Sequence, residues 1–273
     1  MLYKYRNCFE NGYINHYIRG ILEEGVLFFG KPSIFEDSHD CEINVKLYAK
    51  NSDVRKYWHD ELFIIDKDLE LQFHKNGFWG NPQRFVALFN SMPQRKNADI
   101  FGIHCLCKNP LSQKMWEKYA SNEGICIGYQ TEEFGSSTCL HIKEDVYFDG
   151  MPLHYLPFLD VNYMDSSHPE LNRLPTNRFM EEVKKALLIK DTCWSFEEEV
   201  RSFVFDGNIK MPLADKGIEM HCTDDSIQQI IFSNTISSET KKMVIDIIDN
   251  RQCGKNGVKF YQISANFDHL ILL

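Results

Sequence analysis

Short apolar runs, each stopped by glycine, proline or a polar cluster, recur along the whole chain and mix irregularly with fewer stretches in helical spacing. Residues 2–5, 26–29, 100–107, 125–129, 141–148, 198–205, 227–232 and 258–263 read as strands. Helical spacing marks 14–24, 112–120, 178–190 and 237–250, and a helical region over 54–90 is broken near Gly77 and Pro82. Gly25 is placed to end the first helix, and Ser237 or Ser238 to cap the last. The proline-bearing stretch 152–175 reads as irregular, and the last residues, Leu270 to Leu273, as a packed tail. A doubly wound sheet would show regular strand–helix alternation. This pattern instead predicts an α+β fold, a mixed and mostly antiparallel sheet or sheets with flanking helices. No repeat, low-complexity tract or linker divides the 273 residues, which read as a single domain over 1–273.

A chain of this length buries a sizeable core without staples. Its net charge of −9 argues against a broad nucleic-acid surface, which needs an excess of Lys and Arg, though a local basic pocket stays open. The nine cysteines are odd in number and scattered, most of them inside apolar runs. With no signal-peptide layout at the N-terminus, they read as reduced thiols of a cytoplasmic protein. No apolar stretch approaches the roughly 20 residues of a bilayer span, so no membrane partner is expected.

The richest stretch chemically is Trp194-Ser195-Phe196-Glu197-Glu198-Glu199-Val200-Arg201. If extended, it places Glu197, Glu199 and Arg201 on one face. Two carboxylates so close need a partner or a raised pKa, and Arg201 can supply the partner. Such a pair beside a cation suits an oxocarbenium-like transition state. The alternative is an edge strand with a solvated Glu–Arg ladder. His104-Cys105-Leu106-Cys107 sets two thiols on one strand face; buried thiols acting as small apolar groups fit better than a zinc site, for which further ligands are lacking. Trp116 and Tyr119 form either a stacking wall for a nucleobase or nicotinamide ring, or the docking face of an amphipathic helix. Lys4 and Arg6 share one strand face and Tyr3 and Tyr5 the other; the cations either hold a phosphate or point outward from an edge strand. Glycine-rich dinucleotide and phosphate loops, the nucleophile elbow and the His-Glu-x-x-His zinc motif are all missing.

Taken in order, several segments resemble the bacterial family catalogued as domain of unknown function 2971. They are Leu2-Tyr3-Lys4-Tyr5, Leu27-Phe28-Phe29-Gly30-Lys31-Pro32 with Phe35 to Asp40, His104 to Cys107, Met115 to Ala120, Gly124 to Ile127 and Val146-Tyr147. Lys190, with Trp194 to Arg201, and the 227–232 and 237–250 segments complete the order. The family usually carries an Asn-Asp-Pro-Phe-Asp-like turn where this chain has Glu36 to Asp40, and Ser where it has Cys107, and both departures argue against a substrate-contact role for Asp37, Asp40 and Cys107. A second similarity, at the level of fold, is to ADP-ribosyltransferases. That likeness implies NAD as substrate, Glu199 as the catalytic residue that steadies the cation formed as nicotinamide leaves, and Glu197 as its helper. It further implies Lys4 or Arg6 on the NAD diphosphate and rings held by Tyr3, Tyr5, Trp116 or Tyr119. Arg201, beside the carboxylates, is expected to join these residues in binding the nucleotide, and no tightly bound cofactor or metal is expected. The usual Ser-Thr-Ser strand of that fold is not evident.

Three functions follow as expectations. The first is an ADP-ribosyltransferase-like or other NAD- or nucleotide-processing enzyme, of the kind found among toxins and phage-defence effectors. The second is a metal-dependent hydrolase or nuclease using Asp37, Asp40, Glu197 and Glu199. The third is a non-enzymatic module that binds a ligand or partner.

Overall fold

The structure is a computed structural model that describes residues 1–10, 13–37, 40–62, 67–91, 97–121, 123–135, 137–148, 151–165, 170–172, 179–205, 209–210, 213–251 and 257–273. His39, Arg178 and Cys253, which belong to segments singled out above, lie outside these residues. Contacts gather the chain into two compact units, one of residues 1–36, 99–165 and 190–273, the other of 37–98 and 166–189.

The first unit is built on a sheet of twelve strands. In chain order these are β1 (Leu2–Asn7), β2 (Val26–Gly30), β3 (Phe101–Cys107), β4 (Gly124–Tyr129), β5 (Glu132–Phe134), β6 (Ser137–Phe148), β7 (Met151–Asp160), β8 (Glu199–Phe205), β9 (Gly217–His221), β10 (Ile227–Phe232), β11 (Lys259–Ile263) and β12 (Leu270–Leu272). They lie in the order β12-β11-β10-β4-β1-β3-β8-β7-β6-β5, with β2 pairing β3 and β9 off that path. Only β10 and β11 run parallel; the remaining pairs of this sheet are antiparallel. The α+β expectation therefore holds.

Two helices flank this sheet, α1 (His16–Glu24) and α2 (Ser238–Asp249). In α1 the apolar residues Ile18, Ile21 and Leu22 fall on one stripe, as the helical period requires. Asn15 caps its start by accepting the Tyr17 N–H, and Gly25 ends it in the left-handed conformation at φ 78°. Ser237 caps α2 through the Thr240 N–H. The main core joins Ile18 and Leu22, Val244 and Ile248, and the strand residues Leu2, Leu27, Ile125, Ile127, Ile230 and Phe232. A second cluster gathers Tyr5, Cys107, Met115, Trp116, Ala120, Cys126, Ile231 and Ile263.

The sequence reading is corrected at several points in this unit. Residues 151–160 are a strand, not irregular: β7 pairs β6 along its length but meets β8 only at Leu159 and Asp160. Pro152 and Pro157, which lack an N–H, thus sit where one edge carries no ladder. The last residues form edge strand β12, with Leu272 65% exposed, and not a packed tail. Finally, β1 is interior, paired with β4 on one side and β3 on the other, so the edge-strand alternative for Lys4 and Arg6 falls.

The second unit holds helices Asn51–Tyr57, Lys67–Lys75, Pro82–Ser91 and Phe179–Leu187 and a parallel pair of short strands, Asn44–Lys46 with Glu170–Asn172. Its core gathers Leu47, Val54, Tyr57, Trp58, Phe73 and Val86, with Trp58 ringed by Phe73, Trp79 and Phe85.

Candidate functional site: a lysine between two buried glutamates

The segment before β8 is not extended. Thr192–Glu197 forms a 3₁₀ helix whose start is capped by Asp191, accepting from the Cys193 N–H, and whose end is Glu198 in the left-handed conformation at φ 44°. Glu197 and Glu199 therefore converge through a turn, where strict strand alternation was expected. Glu198, between them, turns outward and accepts from the Asn109 amide at 3.0 Å.

The two inward carboxylates meet on Lys190. Its Nζ lies 2.5 Å from Glu197 Oε2 and 2.8 Å from Glu199 Oε2. Arg201 donates from Nε to Glu199 Oε1 at 2.7 Å and from Nη2 to Oε2 at 3.2 Å. Tyr119 donates its hydroxyl to Glu197 Oε1 at 2.5 Å, and Cys105 gives its thiol to Glu199. The Glu199 N–H donates to the Tyr163 hydroxyl at 2.8 Å. Glu197 is 4% exposed, Glu199 6% and Arg201 0%, and β8 is an interior strand, so the solvated-ladder alternative is overturned.

Burial pulls both carboxylates toward their neutral forms, but their neighbours differ. At Glu199 burial is outweighed by the charges of Arg201 and Lys190, and the pKa falls below the ordinary carboxylate range. At Glu197 burial dominates, opposed by Lys190 and Tyr119 and reinforced by the Glu199 charge, and the pKa rises. Burial also raises the Tyr119 phenol, with its bond to Glu197 adding to the rise, and lifts Tyr163 to about 12. Over this cluster stands the Trp194 ring, with Lys190 Nζ 5.3 Å and Lys118 Nζ 4.5 Å from its centroid.

The first strand turns its tyrosines to the sheet face that carries Glu199 and Arg201. Tyr3 lies opposite Cys107, which lies opposite Glu199, so Tyr3, Tyr5, Cys105, Cys107, Glu199 and Arg201 leave the sheet on one face. Tyr5 is buried, donates to the Asn109 carbonyl at 2.9 Å and packs edge-on to Trp116 at 5.1 Å. Trp116 is itself a core residue whose indole N–H donates to the Pro110 carbonyl; of the two aromatic residues on the helical turn Trp116–Ala120, only Tyr119 reaches the carboxylates. Lys4 and Arg6 leave by the opposite face. Lys4 bends into the seam between β1 and β3, donating to the Cys105 carbonyl at 2.6 Å; burial, then Arg6, lowers its pKa to about 8.

His104 faces away from Cys105 and Cys107, with Nδ1 on the Phe28 carbonyl, so the three do not converge as metal ligands. Among the described residues no three His, Cys, Asp or Glu side chains are grouped to hold a metal ion. Asp37 and Asp40 belong to the second unit, Glu197 and Glu199 to the first. The eight described cysteines are free thiols.

Sequence reasoning named Glu197, Glu199, Arg201 and Tyr119 but missed Lys190, Tyr163 and Cys105 as members of the cluster. One signal pointed to Lys190: two inward carboxylates and a single arginine leave one negative charge unbalanced.

These contacts define an α+β protein with a buried, charge-balanced carboxylate pair. The family described as "Protein of unknown function (DUF2971)" matches the chain over residues 115–202, and the family resemblance is borne out there. That span holds Tyr119, Tyr163, Lys190, Glu197, Glu199 and Arg201. No curated protein and no solved structure matches the chain, so the likeness to the ADP-ribosyltransferase fold rests on the sequence motifs alone. No helix among the described residues is long and apolar enough to cross a membrane.

Proposed function

We propose that the Lys190 cluster is the working site of an enzyme that breaks or transfers the glycosidic bond of a nucleotide of the NAD type. The observation that carries this reading is the carboxylate pair itself: two glutamates share one lysine, yet their proton affinities are displaced in opposite directions. Glu199 stays ionised and supplies the fixed negative charge that a developing ribosyl cation needs. Glu197, held by Tyr119, is the group able to take up or release a proton. In the step envisaged, the carbon–nitrogen bond breaks with its electron pair leaving on the base, and water or another nucleophile closes on the ribose carbon. Trp194, flanked by Lys118 and Lys190, offers a ring and positive charge for the nucleotide. The diphosphate role implied for Lys4 and Arg6 is not part of this reading, because both leave the sheet on the other face.

The test is release of nicotinamide from NAD, followed by chromatography, for the wild type and for Glu199→Gln and Glu197→Gln. Turnover lost in Glu199→Gln, with NAD still raising the melting temperature, supports the reading. No release from NAD or other nucleotides by the wild type overturns it. A second reading, a module that binds a nucleotide without turning it over, is favoured by one observation: both oxygens of each carboxylate already have a partner inside the protein. It expects the same melting shift and no product.

A further inference from the structure

The Lys190 cluster sets two carboxylates against two cations and so brings no net charge to hold an anion. Lys4 and Arg6, the cations first read as a diphosphate site, leave the sheet by the other face. Exposed positive charge stands instead at the rim of the cluster. Lys114 and Lys118 are four residues apart on the helical stretch 113–120, so they leave it on the same side. Both are exposed, and each rests its ammonium on a half-buried ring of the 3₁₀ helix Thr192–Glu197. Lys114 Nζ lies 5.4 Å from the Phe196 centroid and Lys118 Nζ 4.5 Å from the Trp194 centroid, and the two rings stand 6.1 Å apart. The Ser112 hydroxyl donates to the Phe196 carbonyl at 3.2 Å and ties the two segments together. Lys190 Nζ is 5.3 Å from that same Trp194 centroid, so one ring links Lys118 to the lysine between the buried carboxylates.

These ammonium groups are held in place but not used up. A ring face attracts a cation through its quadrupole, yet it leaves N–H donors of the ammonium open to an oxygen acceptor. Among the described residues Lys114 meets no carboxylate; Glu117, on the same turn, accepts from the Gln113 amide at 2.7 Å. Lys118 reaches one carboxylate, that of Glu36 at 3.9 Å, a long contact to a side chain 88% exposed and weakened by water. Two positioned lysines without a close counter-ion match two joined phosphates, one ammonium to each, whereas a bare nucleoside offers them nothing. The rings also reduce the entropy lost when such long side chains are ordered around a ligand.

We infer that Lys114 and Lys118 form a clamp for a diphosphate bridge, so that the Lys190 site takes nucleotides whose two halves are joined through phosphates. This rests on the nucleotide reading above and names the part of the substrate that the protein grips. ADP-ribose and adenosine are titrated into the full chain by calorimetry at low and at physiological salt, beside the assay of nicotinamide release from NAD. The wild type is expected to bind ADP-ribose at least about tenfold more tightly than adenosine, with an affinity that falls as salt rises. The double variant Lys114→Gln with Lys118→Gln brings ADP-ribose down toward the adenosine level and removes most of the salt dependence. Its melting temperature stays near that of the wild type, because both side chains are exposed. Lys114→Arg with Lys118→Arg keeps most of the affinity, and Lys4→Met, on the other face, leaves it intact. ADP-ribose affinity unchanged in the double glutamine variant, or lowered with its salt dependence intact, overturns the clamp even where the wild type releases nicotinamide. The expected loss in a protein that releases no nicotinamide supports the clamp and overturns the enzymatic reading instead. No binding of ADP-ribose by the wild type overturns both.

Discussion

At the scale of single residues, the behaviour of this protein is set by charges taken out of water. Glu199 touches Lys190 and Arg201 in a buried setting, so its loss strands two cations. Glu199→Gln should cost roughly 3–5 kcal/mol, the range for breaking a buried pair from one side, measured by urea denaturation. Because the Glu199 pKa is lower folded than unfolded, its stabilising effect is complete above the ordinary carboxylate pKa and disappears as pH falls through the folded value. Lys4 behaves with the other sign. Its pKa drops from 10.5 to about 8 on folding, so between those values the unfolded chain binds more protons, and stability rises with pH across that window. Lys4→Met should flatten that rise in denaturation curves taken from pH 7.5 to 10.5. An unchanged slope would mean that the ammonium is solvated after all.

At the scale of elements, the legible part of the sequence was periodic and the rest was conformational. Alternation and apolar runs located β1, β2, β3, β4, β8, β10 and β11, and caps such as Gly25 and Ser237 located helix ends. The prolines of β7 hid a strand, because the lack of a ladder along one edge is a tertiary fact. The Glu197 to Glu199 convergence was read correctly as a shared face but for the wrong local reason: Glu198 takes a left-handed conformation that no spacing rule announces. Lys190 lay outside any periodic link to the strand it serves. Two substitutions test these elements. Glu198→Gly should be neutral or slightly stabilising, whereas Glu198→Val, β-branched at φ 44°, should cost about 1–2 kcal/mol. Gly124→Ala would drive a Cβ into the Ala120 carbonyl oxygen, at the end of the helical turn Trp116–Ala120 that carries Tyr119. It should lower the melting temperature markedly and loosen the Tyr119–Glu197 bond, visible as a change in the near-ultraviolet circular dichroism of the aromatic residues.

At the scale of the whole molecule, cysteine placement gives a direct reading of order. Cys193 is exposed, while Cys8, Cys41, Cys107, Cys126, Cys139 and Cys222 are buried. A thiol reagent should therefore label Cys193 rapidly in the native protein and the buried six only after denaturant, as peptide mapping would record. Fast native labelling of Cys126, deep in the second core cluster, would contradict the packing described.

The placement of β1 also bears on how the chain reaches its native state. The strand at residues 2–7 is enclosed by partners at 101–107 and 124–129, so about a hundred residues must leave the ribosome before either neighbour exists. Until then its tyrosines and its two cations have nowhere to dock, and closing so long a loop is slow. During synthesis this stretch remains a waiting segment, open to chaperones and proteases, and the Lys190 cluster cannot form until Arg201 has emerged behind it.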